Sequence, residues 1–200
     1  MKIVLASSNK GKIKEIQNLL PECEVVAYSE ILGNFEIVED GNGFKENAII
    51  KAKSVMKKLQ EIGEVDSLVI ADDSGLTVPL LNNEPNIYSA RYAGLNATDE
   101  ENNNKLIKKL QEKKSEKAEA FYTACLAIAY KKNIFTTHGW MYGNVIDKSV
   151  GEGGFGYDPL FIPNGYETTL GILDENIKKK IGHRAQALFL AMKVLKVILK

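Results

Sequence analysis

The sequence predicts an α/β fold built on a mixed β-sheet with helices on its flanks. Three observations lead there. In the first half, short apolar runs such as Ile3 to Ala6 and Ser67 to Ala71 alternate with helical patterns. In the second half, strand-like runs follow one another from Ala118 to Ile146, which a purely parallel sheet does not accommodate. The 200 residues, 44% of them hydrophobic, are enough for one cored domain or for two closely joined lobes.

Taken in order, Ile3 to Ala6 reads as a buried first strand. A helix follows Ser7-Ser8-Asn9, with Ile13, Ile16 and Leu20 on one face, and Pro21 ends it. Val25 to Tyr28 reads as a second strand, and Ser29 to Gly43 as an irregular acidic segment. Phe44, Ala48, Ala52, Val55 and Leu59 recur at three- and four-residue steps and predict an amphipathic helix. Ser67 to Ala71 is an apolar strand that Asp72-Asp73-Ser74-Gly75 is expected to stop. Leu76 to Leu81 reads as a further strand, weakened by Pro79. A loop runs through Ser89 to Gly94, and Thr98 with Glu101 forms a capping-box pattern opening a charged helix to about Lys114. Ala118 to Tyr130 predicts one long strand, and Ile134 to Ile146 one or two more. After a glycine-rich loop, Asp174 is placed to cap a short helical turn. A last helix from about Arg184 buries Leu188, Ala191, Met192, Leu195 and Leu199. There is no internal repeat and no linker-like tract, so residues 1–200 are expected to form a single domain.

Composition narrows the function. Lys plus Arg and Asp plus Glu each total 26, so a general nucleic-acid binder, which carries a basic excess, is disfavoured. Cys23 and Cys125 are the only cysteines and form no C-x-x-C, against a zinc or disulfide scaffold and in keeping with a reducing compartment. The first residues are strand-like and no apolar run approaches membrane-spanning length, so a cytoplasmic protein is expected.

Several polar clusters carry chemistry. The Gly151-Glu152-Gly153-Gly154-Phe155-Gly156-Tyr157-Asp158-Pro159 loop sets aromatic rings and a carboxylate among glycines. Phe155 or Tyr157 suits stacking on a planar group and Asp158 suits accepting a hydrogen bond from its edge. Its glycines formally spell the dinucleotide fingerprint, but Pro159 follows instead of a helix. Ser7-Ser8-Asn9-Lys10-Gly11-Lys12 lies at a strand-to-helix junction, where helix N–H groups and Lys12 attract anions. It is not a P-loop: Ala6 stands where the first glycine belongs and Ile13 where Ser or Thr belongs. The blander reading makes Ser7 or Asn9 an ordinary helix cap.

Asp72-Asp73 places adjacent carboxylates at the expected strand tip, a place for a cation or a water-activating base. The bland alternative is a simple turn at Asp73-Ser74-Gly75. Glu39 is a candidate second oxygen ligand for Mg²⁺. Asn47 and Lys51, off the apolar stripe, either face an anion or lie in solvent. His183-Arg184 opens the last helix behind Lys178-Lys179-Lys180 and offers hydrogen-bond donors, while His138 reads as structural.

These pieces occur together and in order. Ser7-x-Asn9-x-x-Lys12, Glu39 before Phe44-x-Glu46-Asn47-Ala48, Ala71 to Leu76, Tyr88 to Tyr92, Gly153 to Pro159 and His183-Arg184 resemble the inosine triphosphate pyrophosphatase family. The resemblance is nearest its bacterial dITP/XTP pyrophosphatase (Ham1-like) branch and covers nearly the whole chain. It implies a two-lobed ITPase-like, Maf-like α/β fold with a long central mixed sheet, a cleft between lobes and a homodimer. It further implies Mg²⁺-dependent hydrolysis of non-standard purine nucleoside triphosphates (ITP, dITP, XTP) to the monophosphate and pyrophosphate. That reaction would keep deaminated purines out of DNA and RNA.

By position, the resemblance makes Ser7, Ser8, Asn9, Lys10, Gly11 and Lys12 triphosphate-binding. Glu39 and Asp73 become metal-site carboxylates, with Asp73 also the proton acceptor, and Lys51 and Ser74 become substrate contacts. Phe155, Gly156, Tyr157 and Asp158 become the base loop, with Lys178, His183 and Arg184 as further base and substrate contacts. Family members often carry Ser before the His-Arg pair, where this chain has Gly182. His183 and Arg184 would donate to the 6-oxo group of hypoxanthine or xanthine. A Maf-like pyrophosphatase, a non-catalytic nucleotide-binding module and a globular domain whose clusters are mere caps and turns remain the alternatives.

Overall fold

The computed structural model describes residues 2–199. Seven strands and six α-helices appear among them: β1 (Lys2–Leu5), α1 (Lys10–Leu19), β2 (Glu24–Ala27), α2 (Tyr28–Leu32), α3 (Phe44–Glu61), β3 (Leu68–Val78), β4 (Glu84–Pro85), α4 (Asp99–Glu112), β5 (Lys117–Tyr130), β6 (Asn133–Ile146), β7 (Phe161–Pro163), α5 (Glu175–Ile181) and α6 (His183–Ile198). The strands form one mixed sheet in the order β2-β1-β3-β5-β6-β7, with β4 paired to β3. β1 pairs parallel with β2 and with β3, while β3–β4 and β6–β7 are antiparallel. The α/β class and the mixed sheet expected from the sequence are therefore present. Among the described residues no helix is long and apolar enough to cross a membrane.

One difference from the expected elements fixes where the paired acids point. Asp72-Asp73-Ser74-Gly75 neither ends a strand nor turns the chain; β3 runs unbroken from Leu68 to Val78. Adjacent acids argue against a buried strand only while they are uncompensated, and here each meets a cation. Pro79 instead opens a short 3₁₀ turn at the end of β3. Ser29 to Gly43 is not wholly irregular either, since Tyr28–Leu32 forms the short helix α2, whose Glu30 accepts the Ala27 N–H. Thr98 and Glu101 do form the capping box of α4, and Asp174 caps α5.

By packing, the chain divides into two compact units, the division falling inside β3, β5 and β6. The first contains residues up to Asp73, Ala124–Gly139 and those from Arg184 onward. Its part of the sheet has a core on each face. Ile3, Leu5, Leu68, Ile70, Leu126 and Ile128 pack with Ile16 of α1 and with Ala187, Leu188, Ala191 and Leu195 of α6. Val4, Ala6, Val69, Ala71, Cys125 and Ala127 pack with Ala48, Ala52, Val55 and Leu59 of α3. Alternate residues of each strand thus supply opposite cores, as the two-residue period requires.

The second unit, Ser74–Thr123 with Trp140–His183, has its own core of Leu76, Val78, Leu106, Leu110, Tyr122, Val145, Tyr157 and Phe161. Gly143 of β6 sits opposite Pro163 of β7, and a Cβ there would press on the Ile162 carbonyl oxygen and reach 2.7 Å from Phe161 Cζ. Backbone cannot yield as a flexible side chain can. Gly143→Ala is expected to lower stability by about 1–3 kcal/mol, read as a fall in the urea midpoint with an unchanged slope.

Candidate active site

The continuous β3 decides where its acids go. Asp72 continues the row of Leu68 and Ile70, which faces α1 and α6, and Asp73 continues the row of Val69 and Ala71, which faces α3. The neighbours therefore diverge. Asp72 Oδ2 lies 2.6 Å from Lys12 Nζ of α1, and its Oδ1 accepts a hydrogen bond from Arg184 Nε of α6 at 3.2 Å. Arg184 also pairs with Glu15 of α1. Burial works against the charge on Asp72, but Arg184 and then Lys12 outweigh it and hold its carboxyl far below the usual carboxylate range. Lys12 is pulled below the ordinary lysine value by burial, despite Asp72 beside it.

On the other face, Lys51 Nζ of α3 donates to Asp73 Oδ1 at 2.7 Å and to Glu39 Oε2 at 3.1 Å. Burial pushes the Asp73 carboxyl above its ordinary value. For Lys51 burial acts downward, but Asp73 and Glu39 prevail and raise it. Two carboxylates here share one ammonium, and Asp73 Oδ2 is buried with no hydrogen-bond partner. The segment carrying Glu39 is fastened to α3: the Gly41 N–H donates to Asn47 Oδ1 at 2.9 Å and the Asn42 N–H to Glu46 Oε2 at 2.6 Å. Asn47 and Lys51 lie one helical turn apart, so one face of α3 holds both the Glu39 segment and Asp73.

Among the described residues no three His, Cys, Asp or Glu side chains gather as a metal cage. Two carboxylates with one buried oxygen left unsatisfied nevertheless suit Mg²⁺, which takes one or two protein carboxylates and completes its shell with water and substrate phosphate.

Ahead of these acids, Asn9 caps α1, its Oδ1 accepting the Lys12 N–H at 3.0 Å while the Asn9 N–H donates to Ser7 Oγ at 3.2 Å. Ser8, Asn9 and Lys10 are exposed. A capped but open helix start of this kind attracts anions.

The second unit carries the glycine-rich loop. Asp158 folds back over it: Oδ2 accepts the Phe155 N–H at 3.3 Å and lies 3.7 Å from Lys178 Nζ. Gly154, at φ 84°, leaves room for that carboxylate, which any Cβ would strike. Gly156 donates its N–H to Asp99 Oδ2 at 2.7 Å and accepts from Asn103 Nδ2 at 3.0 Å. The chain then enters the short turn Asp158–Leu160 and β7, not a helix, which disposes of the dinucleotide fingerprint. His183 stacks on Tyr122 with ring centres 4.7 Å apart and planes 8° from parallel.

A profile of the Ham1 family matches residues 3–194. The chain belongs to the Ham1 family. It is 62% identical over 199 residues, all of both chains, to a dITP/XTP pyrophosphatase of Aliarcobacter butzleri. It is 55% identical to one from Nautilia profundicola, covering 99% of each chain. Among solved structures, a HAM1 protein from Coxiella burnetii superposes with a TM-score of 0.84 at 36% identity, and the Ham1 protein of Staphylococcus aureus with 0.83 at 38%, each covering 98% of both chains.

As a Ham1-family chain, its predicted site residues fall into two sets. Ser7 to Lys12, Glu39, Lys51 and Asp73 lie in the first unit, and Ser74, Phe155 to Asp158, Lys178 and His183 in the second. One expectation needs correction. Tyr157 is no stacking platform: its ring is buried in the core and its hydroxyl donates to the Ser89 carbonyl at 2.8 Å, leaving half-buried Phe155 as the ring that suits the role. Arg184 is buried, with its Nε engaged by Asp72 and its Nη1 by Glu15. Consecutive helical residues point about 100° apart, so it diverges from His183. Of the two readings of Lys51, the solvent-exposed one falls away, since its ammonium is buried between Asp73 and Glu39. The sequence motifs do not single out Asp99 or Asn103, although Asn103 shares a buried stripe with Leu106 and Leu110.

Asp72→Asn would leave Lys12 and Arg184 without their shared counter-charge and is expected to cost on the order of 3 kcal/mol at pH 7. Because the folded carboxyl titrates below its unfolded value near 3.9, Asp72 stabilises fully above that value. Its contribution fades as the pH falls toward the folded value. The gap between wild-type and Asp72→Asn in urea unfolding should therefore be constant from pH 8 to 5 and shrink below about pH 4.

Proposed function

We propose that this Ham1-family chain hydrolyses non-standard purine nucleoside triphosphates, dITP, XTP and ITP, to the monophosphate and pyrophosphate. The observation that carries the reading is the Glu39–Lys51–Asp73 cluster, with one Asp73 oxygen buried and unsatisfied, in a chain matched end to end by relatives named dITP/XTP pyrophosphatase.

Ser7 to Gly11 and the start of α1 take the triphosphate through backbone N–H groups, and Lys12, steadied by Asp72, adds positive charge beside them. Lys51 neutralises further charge and keeps Asp73 and Glu39 together. Glu39 and Asp73 would hold Mg²⁺, which when bound supplies charge neutralisation at phosphate oxygens. Asp73 orients a water toward the α-phosphorus and accepts its proton. Burial favours that role, since a carboxyl raised above its usual value is a better base. The α-phosphorus–oxygen bond to the β-phosphate breaks and pyrophosphate leaves. Most of the rate enhancement comes from positioning and electrostatics.

The base is read by the loop and by His183. Phe155 stacks on the purine, Asp158 and Lys178 brace the loop, and His183, held flat against Tyr122, donates to the 6-oxo group. Adenine presents a 6-amino donor instead, and a polar site built for an acceptor can reject such a mismatch by roughly 10⁴. Ser74 is a further substrate contact. The resemblance also supports a homodimer, and free Cys23 and Cys125 fit a cytoplasmic setting.

Incubation with ITP, XTP, dITP and the ordinary triphosphates, with and without Mg²⁺, tests the reading. Monophosphate plus pyrophosphate from the 6-oxo, non-standard substrates is expected, with turnover abolished by a chelator. Binding without turnover would instead indicate a sensing module, and equal rates for ATP and ITP would sink the account of base choice. Asp73→Asn should cut kcat at least about 10²-fold while substrate affinity, measured by calorimetry, stays within a few-fold.

A further inference from the structure

The base-reading loop carries an unusual pair of restraints. Gly156 is left-handed, at φ 60°, yet nothing lies within 4 Å of where its Cβ would stand. Crowding does not set this turn. Hydrogen bonds from α4 do: Asp99 Oδ2 takes the Gly156 N–H at 2.7 Å and Asn103 Nδ2 donates to the Gly156 carbonyl at 3.0 Å. Asp99 and Asn103 are four residues apart, on one face of the helix. Both polar groups of a single loop residue are thus held by one rigid element.

Two features argue that the clamp is more than incidental. Asn103 occupies the buried stripe of Leu106 and Leu110, where an apolar side chain would pack, and its Oδ1 is buried without a hydrogen-bond partner. A buried amide with an unsatisfied oxygen lowers stability, so the bond made by its nitrogen is the gain that offsets it. Asp99 opens α4, where a carboxylate is favoured by the helix dipole and needs no further partner, yet it reaches to the loop. The restraints also bracket Phe155. Its N–H is held by Asp158, and the next peptide is held by Asp99, so the direction of the ring is set before any ligand arrives.

We propose that Asp99 and Asn103 are positioning residues for purine selection, acting through Gly156 to pre-organise Phe155. This rests on the reading that the loop grips the base. Pre-organisation raises selectivity because the correct base meets a formed surface, whereas a loose loop spends binding energy on ordering.

Three variants test it: Asn103→Leu, which removes the donor at similar volume, Asp99→Ala, and Asp99→Asn, which keeps an acceptor for the Gly156 N–H. Hydrogen–deuterium exchange of the ligand-free protein should speed up about tenfold over residues 152–158 in the first two and not in Asp99→Asn. KM for ITP should rise about tenfold and the ITP-to-ATP ratio of kcat/KM fall by a similar factor, with kcat within about twofold. Asp99→Asn should stay near wild type in all three. A purely structural role would instead lower the melting temperature and leave the ratio unmoved, which overturns the proposal. Should Asn103→Leu fail to fold, the exposed Asp99 carries the same comparison. Wild-type enzyme that fails to separate ITP from ATP would overturn the purine reading itself, and this role with it. Wild-type selectivity kept intact in folded Asn103→Leu and Asp99→Ala would overturn this role alone.

Discussion

The two-residue period of β3, applied to adjacent aspartates in a strand buried on both faces, underlies the whole arrangement. No single counter-ion could serve both acids, because Asp72 and Asp73 leave the strand in opposite directions. Each draws its own lysine into the interior, Lys12 from α1 and Lys51 from α3. The balance differs between the faces. Asp72 is met by two cations, with Glu15 offsetting the second, whereas Asp73 shares Lys51 with Glu39 and keeps an unsatisfied oxygen. One face is a closed ionic brace, and the other retains excess negative charge around a single ammonium.

That asymmetry assigns different work to two chemically identical side chains. Asp72 is held strongly ionised by its partners and steadies the cations near the helix start. Asp73 is pushed toward the basic side by burial, which suits a proton acceptor. Environment, not residue type, sets the two carboxyls apart.

In the second unit, bonds between side chains and loop backbone take the corresponding part. The glycine loop has little side-chain packing of its own, and its shape comes from groups that reach into it: Asp158 from within, Asp99 and Asn103 from α4, and Tyr157 anchored to Ser89. Glycine at 154 is required by the folded-back carboxylate, and at 156 by its left-handed backbone. A loop so restrained can present Phe155 in one orientation, which is what recognition of a flat ring needs.

Much of this was legible in the residue order. Amphipathic spacing located α3 and α6, the Thr98–Glu101 capping box located the start of α4, and runs of apolar residues located β5 and β6. The ordered polar motifs were enough to place the chain in the Ham1 family, because residue types and their separations along the chain are sequence properties. What the linear order left open was direction. Asp72-Asp73-Ser74-Gly75 looked like a strand end because local composition disfavours buried acids, and only cations brought from positions 12, 51 and 184 make an unbroken strand tolerable. Tyr157 reads as an open ring and Arg184 as an exposed donor for the same reason: a polar tip on a large side chain reads alike whether it meets solvent, a backbone carbonyl or a buried carboxylate. Which of these it meets depends on partners 68 and 112 residues away, and contacts at that separation exist only once the chain has folded.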